Sequence, residues 1–361
     1  MSSTSASFRT LEKKAPEFES YLRGTFSKKE RALPVKSLNV NTDQESVTFQ
    51  IVPLSEIKRP SYFTIWMKAF RPRSFLMVLF PMFVVASKNI VDNVNIDSMT
   101  LILATLGVLF LYAAFNLRND YVDHMKGFDR IDLQLGSRPI QAGWLTAETV
   151  RKVANLFIIL SFILAFPIFI AVPPILLFVA IALLISYLVL FRLRVSFKEI
   201  AGGELGIFLL VGPLLTSGYE LSFTGVIRPE TVVIGLIWGG MALMPIHLRN
   251  LELIVSQSQA GLHNMVNYFG FDKAKRFIAY WWILCLGGFV GYHFEYSGFF
   301  WCWFYTCFMA FVSILFFQDL SFLQSPAGSR MLAVRKRGDY LLVFIMALWV
   351  VEMLGYLLYE F

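Results

Sequence analysis

The chain has 361 residues, of which 57% are hydrophobic, 16% aromatic and only 16% charged, whereas an ordinary soluble domain is about a quarter charged. This composition excludes a simple water-soluble globule and indicates an integral membrane protein. The net charge of +7 does not indicate a nucleic-acid partner, because the basic residues are scattered over loops with no binding motif around them.

Residues 1–60 are polar and charged, with Lys-Lys pairs, Ser/Thr and scattered Pro. They read as a poorly ordered cytoplasmic extension, in which Ser46 to Pro53 could form one short strand. The stretch 61–75 mixes aromatic and basic residues and reads as an interfacial helix leading into the membrane. Nine apolar stretches follow, near 74–91, 99–117, 153–172, 174–191, 200–217, 231–248, 277–293, 299–317 and 340–359. Each approaches the roughly 20 residues a helix needs to cross a bilayer. The expected fold is therefore an all-α polytopic membrane bundle of about nine transmembrane helices, with residues 61–361 as the membrane domain.

Basic residues alternate between connections. Arg118, Lys126, Arg130, Arg138, Arg151 and Lys152 follow the second span; Arg192, Arg194 and Lys198 follow the fourth; Arg249, Lys273, Lys275 and Arg276 follow the sixth; Arg330, Arg335, Lys336 and Arg337 follow the eighth. The intervening connections carry almost none. By the positive-inside rule the N-terminus and these four loops are cytoplasmic and the C-terminus lies on the opposite side. The first apolar run begins too late for a cleavable signal peptide. Cys285, Cys302 and Cys307 lie in apolar segments without metal spacing and read as packing residues.

The connection after the second span carries the chemistry. It begins N-L-R-N-D-Y-V-D-H-M-K-G-F-D from Asn116 and continues through Asp132 to Gly136-Ser137-Arg138-Pro139 and Gly143. On a helix Asn116, Asp120 and Asp123 share one face. Acids at a membrane helix end are expensive and mark function by default. Two carboxylates and an amide suit a Mg²⁺ ion that also holds phosphates, and the interspersed Lys126, Arg130 and Arg138 suit the remaining phosphate oxygens. The bland alternative is a solvated loop with turn glycines.

The pattern N-D-x-x-D-x-x-x-G-x-D, followed by Arg-Pro-Ile and a glycine, resembles the first aspartate-rich motif of the UbiA superfamily of intramembrane prenyltransferases. The Lys-Gly-x-Asp spacing looks most like its menaquinone branch, which prenylates dihydroxynaphthoate. K-A-F-R-P-R at 68–73, G-G-E-L-G-I-F-L-L-V-G-P at 202–213 and A-G-L-H-N-M-V-N-Y-F-G at 260–270 look like further segments of that family. The resemblance implies transfer of a polyprenyl group from its diphosphate to an aromatic acceptor, with Mg²⁺ and the lipid bilayer as the other partners. It also implies roles for single residues. Asn116, Asp120 and Asp123 match metal ligands, with Asp120, Asp123 and Asp129 as the catalytic acids. Asn119, Lys126 and Arg138 match substrate contacts. Glu204 would line the cavity, and His247 and Arg249 would stand near the diphosphate or acceptor.

The second motif departs from the family pattern, which reads roughly N-L-R-D-x-E-x-D-x-x-A-G. Here Asn250 and Ile254, or Gln257 in the other register, stand where its aspartates belong, and Glu252 is the remaining carboxylate and candidate metal ligand. Neither Ile nor Gln replaces a charged ligand of a hard cation. The alternative to an enzyme is thus a degenerate paralogue that binds an isoprenoid or quinone without transfer. A transporter ranks below both, since no inverted repeat is evident.

Overall fold

A computed structural model describes residues 7–131, 138–190, 203–259, 264–296 and 299–360. Its elements are, in order, β1 (Ser7–Glu12), α1 (Phe18–Arg23), β2 (Glu30–Leu38), β3 (Ser46–Pro53), α2 (Tyr62–Phe70), a 3₁₀ turn (Pro72–Phe75), α3 (Leu76–Val91), α4 (Ser98–Lys126), α5 (Phe128–Ile131), α6 (Ala147–Ala171), α7 (Ile175–Leu190), α8 (Gly203–Val211), α9 (Pro213–Thr224), α10 (Pro229–Glu252), α11 (Ile254–Gln259), α12 (Met265–Phe269), α13 (Phe271–Tyr296), α14 (Phe299–Ser321) and α15 (Ser329–Glu360). Among the described residues eight helical stretches are long and apolar enough to cross a membrane, and α7 adds a shorter apolar run over Ile175–Ser186. All nine expected spans fall on helices. Asp132, Gly136, Ser137, Arg192, Arg194, Lys198, Gly202 and the Ala260–His263 segment lie outside the described residues.

Two compact units result, Met1–Phe75 with Leu106–Ile163, and Leu76–Thr105 with Leu164–Phe361. The first corrects the expectation of a poorly ordered extension, because residues 7–53 form a three-stranded antiparallel sheet of order β1-β3-β2. The central strand reads S-V-T-F-Q-I-V-P, and its alternation buries Val47 and Phe49 completely, as a half-buried strand requires. Pro34 sits in the edge strand β2 beside a register irregularity, a place where its missing N–H is tolerated. The sheet closes a small core with Leu11, Phe18, Tyr21 and Leu22, against which Met125 of α4 packs. The fold is thus an all-α membrane bundle that also carries a small β-sheet.

This core explains why so polar a segment is ordered. Its apolar partner is not local; it is the end of the helix that bears the acidic motif. Polar locks reinforce the contact. Glu45 pairs with Arg130, each side chain 2% exposed, and also accepts from the Asn41 N–H at 3.3 Å. Arg130 donates to the His124 carbonyl at 2.8 Å, and the His124 ring meets the Leu22 carbonyl at 3.0 Å. Burial pushes the Arg130 pKa down while the Glu45 charge pulls it back up. Gly127 makes the corner at φ 83°, where a Cβ would stand 2.6 Å from Val40, so glycine serves both the left-handed turn and the close approach. The sheet and the segment after α4 therefore lie on one side of the membrane.

In the second unit α10 is the hub, packed against α3, α8, α9, α13 and α15. Small residues let it approach closely: a Cβ on Gly212, at the α8–α9 break, would lie 2.9 Å from the Gly239 Cα. Pro213 opens α9, so the fifth span is two helices in series. Buried polar groups are paired here as well. Glu220 accepts from Asn89 at 3.0 Å and from the Arg228 side chain at 2.8 Å, and Tyr292 donates to Glu230 at 2.9 Å. Glu352 is fully buried and meets the His293 ring at 2.9 Å.

The Glu45–Arg130 pair yields a direct test. Glu45→Ala strands a buried guanidinium, a change that typically costs roughly 3–5 kcal/mol. Faster hydrogen exchange over 30–53 and 124–131 is the expected outcome, with exchange in α13–α15 unchanged.

Candidate functional site

Two polar clusters hold the residues singled out from the sequence, one in each unit. The first lies at the C-terminal end of α4. The helix runs on past its apolar core to Lys126, so Asn116, Asp120 and Asp123 do share a helical face. Asn116 and Asp120 are 8% and 3% exposed. Asn116 donates through Nδ2 to the Phe70 carbonyl at 3.2 Å and to Ser74 Oγ at 2.9 Å. These acceptors are the last residue of α2 and the turn after it, and that turn also supplies the cation for Asp120. Arg71, in the left-handed conformation at φ 54°, forms an ion pair with the carboxylate. Asn119 donates to Asp123 at 3.0 Å.

Beyond Gly127 the cluster continues. Asp129 is 2% exposed and accepts from Gln141 Nε2 at 2.6 Å. Lys126 Nζ stands 5.9 Å from the Phe128 ring centroid. Arg138 is exposed and takes φ 68°. Sequence reasoning placed Arg71 in a familiar segment without assigning it, and it passed over Gln141. The signal for Arg71 was a cation just past a short amphipathic helix; nothing in the sequence marks Gln141.

The second cluster surrounds the C-terminal end of α10. Glu204, in the first turn of α8 and 3% exposed, accepts from Asn250 Nδ2 and from the Met265 N–H, each at 3.2 Å. Asn250 accepts from Gln257 at 3.0 Å, Gln257 from Asn264 at 2.7 Å, and Asn264 from the Asn267 N–H at 2.9 Å. These bonds form one directional relay ending on a carboxylate, an arrangement in which each bond polarises the next. Asn250 and Gln257, polar residues that one register or the other of the sequence comparison sets against the family's aspartates, both belong to it. Glu252 lies outside the relay and meets Arg335 Nε at 3.2 Å. Arg249 follows the hub helix to its last turn. His247 is fully buried, and among the described residues neither ring nitrogen is bonded; its ring packs edge-on against Phe277 and Trp281, with centroids 5.4 and 6.3 Å away. A buried imidazole without a partner costs free energy and is ready to accept or donate to a ligand.

Hard oxygen ligands on one helix face have the chemistry Mg²⁺ requires. Among the described residues no group of three or more His, Cys, Asp or Glu converges as a ready cation cage. The residues of the first cluster that could hold such an ion are Asn116, Asp120 and Asp123, and a cation there would share Asp120 with Arg71.

A model of the UbiA prenyltransferase family matches residues 75–317. No curated protein matches the chain. Solved structures do. A UbiA homolog from Archaeoglobus fulgidus bound to DMAPP and Mg²⁺ shares 17% identity with a TM-score of 0.57, over 81% of this chain and 98% of that one. The same homolog bound to GPP and Mg²⁺ gives 16% and 0.56, over 80% and 99%. A digeranylgeranylglyceryl phosphate synthase gives 18% and 0.55, over 81% and 99%. At these identities the likeness establishes the fold.

The relay makes a prediction of its own. Glu204→Gln keeps an acceptor for Asn250 and Met265, whereas Glu204→Ala leaves both donors stranded. The alanine variant should be less stable than the glutamine variant by about 1–3 kcal/mol, read from thermal unfolding in detergent.

Proposed function

The chain belongs to the UbiA prenyltransferase family, and from that premise we propose that it transfers a polyprenyl group from its diphosphate to an aromatic quinone precursor. Dihydroxynaphthoate is the acceptor that the Lys126-Gly127-x-Asp129 spacing favours. The observation that carries this reading is the face of α4, where Asn116, Asp120 and Asp123 stand together at a membrane helix end and Arg71 is paired with Asp120.

In the proposed reaction the allylic C–O bond breaks with its electron pair going to the diphosphate, the electron-rich ring captures the carbon, and the bond from the attacked ring carbon to its displaced substituent breaks, its electron pair restoring aromaticity as a proton or, from a carboxylated position, CO₂ leaves. Asn116, Asp120 and Asp123 would hold Mg²⁺, which when bound supplies positive charge against the departing diphosphate. Arg71 holds Asp120 in one orientation through their ion pair. Lys126 and Arg138 add charge-assisted donors for phosphate oxygens. Gln141 holds Asp129 in one orientation. His247, with two unsatisfied ring nitrogens, is the proposed polar contact of the second cluster, with Arg249 beside it in sequence. Glu252 would have to exchange Arg335 for a metal to act as a ligand. By the basic-residue bias, the acidic segment and the N-terminal sheet are placed on the cytoplasmic side.

The amide relay favours a second reading. Asn250 and Gln257 are neutral and hydrogen-bonded to each other, so the second motif resembles a scaffold more than a site of charge neutralisation. That supports an isoprenoid- or quinone-binding protein without transfer.

The deciding measurement is EDTA-sensitive transfer of a labelled polyprenyl diphosphate to dihydroxynaphthoate in membranes carrying the chain. Asp120→Ala and Asp123→Ala should each lower the rate by about 10²–10³-fold, the usual scale for removing an electrostatic contributor. Inserted protein that transfers to no member of a panel of aromatic acceptors would establish the binding reading instead.

A further inference from the structure

The N-terminal sheet creates a pocket that lies apart from the acidic motif. It has a volume of about 400 Å³ and is lined by Arg31 of β2, Arg59, Tyr62 at the start of α2, and Trp144, Thr146 and Thr149 at the start of α6. No carboxylate lines it among the described residues. Arg31 donates through Nη1 to the carbonyl of its own neighbour Glu30 at 3.0 Å, while its Nε is buried with no partner. Arg59 reaches a backbone oxygen, that of Gly143, at 3.5 Å. Burial first, and then the charge of Arg59, push the Arg31 pKa down. Two guanidiniums are thus gathered in one cavity without an acid between them, an arrangement that costs free energy until an anion enters.

We propose that this pocket binds a phosphate group, carried either by a soluble phosphate or by a lipid headgroup, in the forks of Arg31 and Arg59. Guanidinium is the side-chain group best matched to phosphate oxygens, through two parallel N–H donors. The hydroxyls of Thr146 and Thr149 line its edge and are hydrogen-bonded to each other at 2.7 Å, which leaves one O–H as a further donor. The position favours access from the bilayer surface. Tyr62 opens the first membrane-length stretch, and Tyr62 and Phe63 are 73% and 74% exposed, as aromatic residues at the headgroup level are. The acidic motif takes no part, so the proposal is independent of prenyl transfer.

The test is thermal unfolding of the full chain in a neutral detergent, with inorganic phosphate, with short-chain phosphatidic acid, and with the matching diacylglycerol as the uncharged control. The wild type should be stabilised by one or both phosphate probes and not by the diacylglycerol. Stabilisation by inorganic phosphate assigns a soluble ligand; stabilisation by phosphatidic acid alone assigns a headgroup. Arg31→Gln and Arg59→Gln should each weaken the effect at least about tenfold in probe concentration. Without probe, each variant should be as stable as the wild type or more so, because a like-charge contact is relieved. Arg59 is exposed, so its variant reports even if Arg31→Gln fails to fold. Absence of stabilisation by either phosphate probe, or stabilisation that both variants retain, would overturn the proposal.

Discussion

A carboxylate withdrawn from water must be met by donors, and that requirement organises this protein more than any other. Asp120 is answered by Arg71, Asp129 by Gln141, Glu45 by Arg130, Glu204 by a train of amides and Glu352 by His293. In a bilayer the demand is sharper, since little water is available to substitute for a missing partner. Each pairing fixes two elements relative to one another. The turn after α2 is tied to α4 through Arg71 and Ser74, the sheet to α5 through Arg130, and α8 to α10 and α12 through Glu204.

The two polar clusters meet this demand differently. At α4 the carboxylate of Asp120 is met by the charge of Arg71, while Asp123 and Asp129 are met by the amides of Asn119 and Gln141. At the end of α10 the answer is a series of neutral amides, able to hold backbone in place but adding no charge. In the proposed reaction a diphosphate leaving group carries several negative charges, and the burden of neutralising it would fall on the α4 segment and its cations. The unsatisfied imidazole of His247 is the exception in the second cluster, a polar group buried without a protein partner.

Much of this could be read before any coordinates. Hydropathy marked the nine helical stretches because a span must be apolar throughout, and the helix through Asp120 and Asp123 followed from their spacing. What could not be read depends on partners distant in sequence. Only β3 shows clean alternation; β1 and β2 are polar, and the core they share is completed by Met125. Composition alone therefore mistook the extension for an unstructured tail. Gln141 and Arg71 are ordinary residues whose meaning comes from the acids they reach. Asn250 and Gln257 read as losses against a family pattern, whereas in the fold they are consecutive links of one network.

The lock between Glu45 and Arg130 also has a consequence in time. The two residues are 85 positions apart in the chain, and a ribosome adding roughly 5–20 residues per second needs about 4–17 seconds to travel from one to the other. Through most of that interval all three strands exist while their core lacks Met125 and Glu45 lacks its counter-charge. The intervening chain includes α3 and all of α4, both of which are threaded into the bilayer first. Completion of a water-side sheet is thereby made to wait on membrane insertion, and a nascent chain that placed α4 the wrong way round would leave the sheet open.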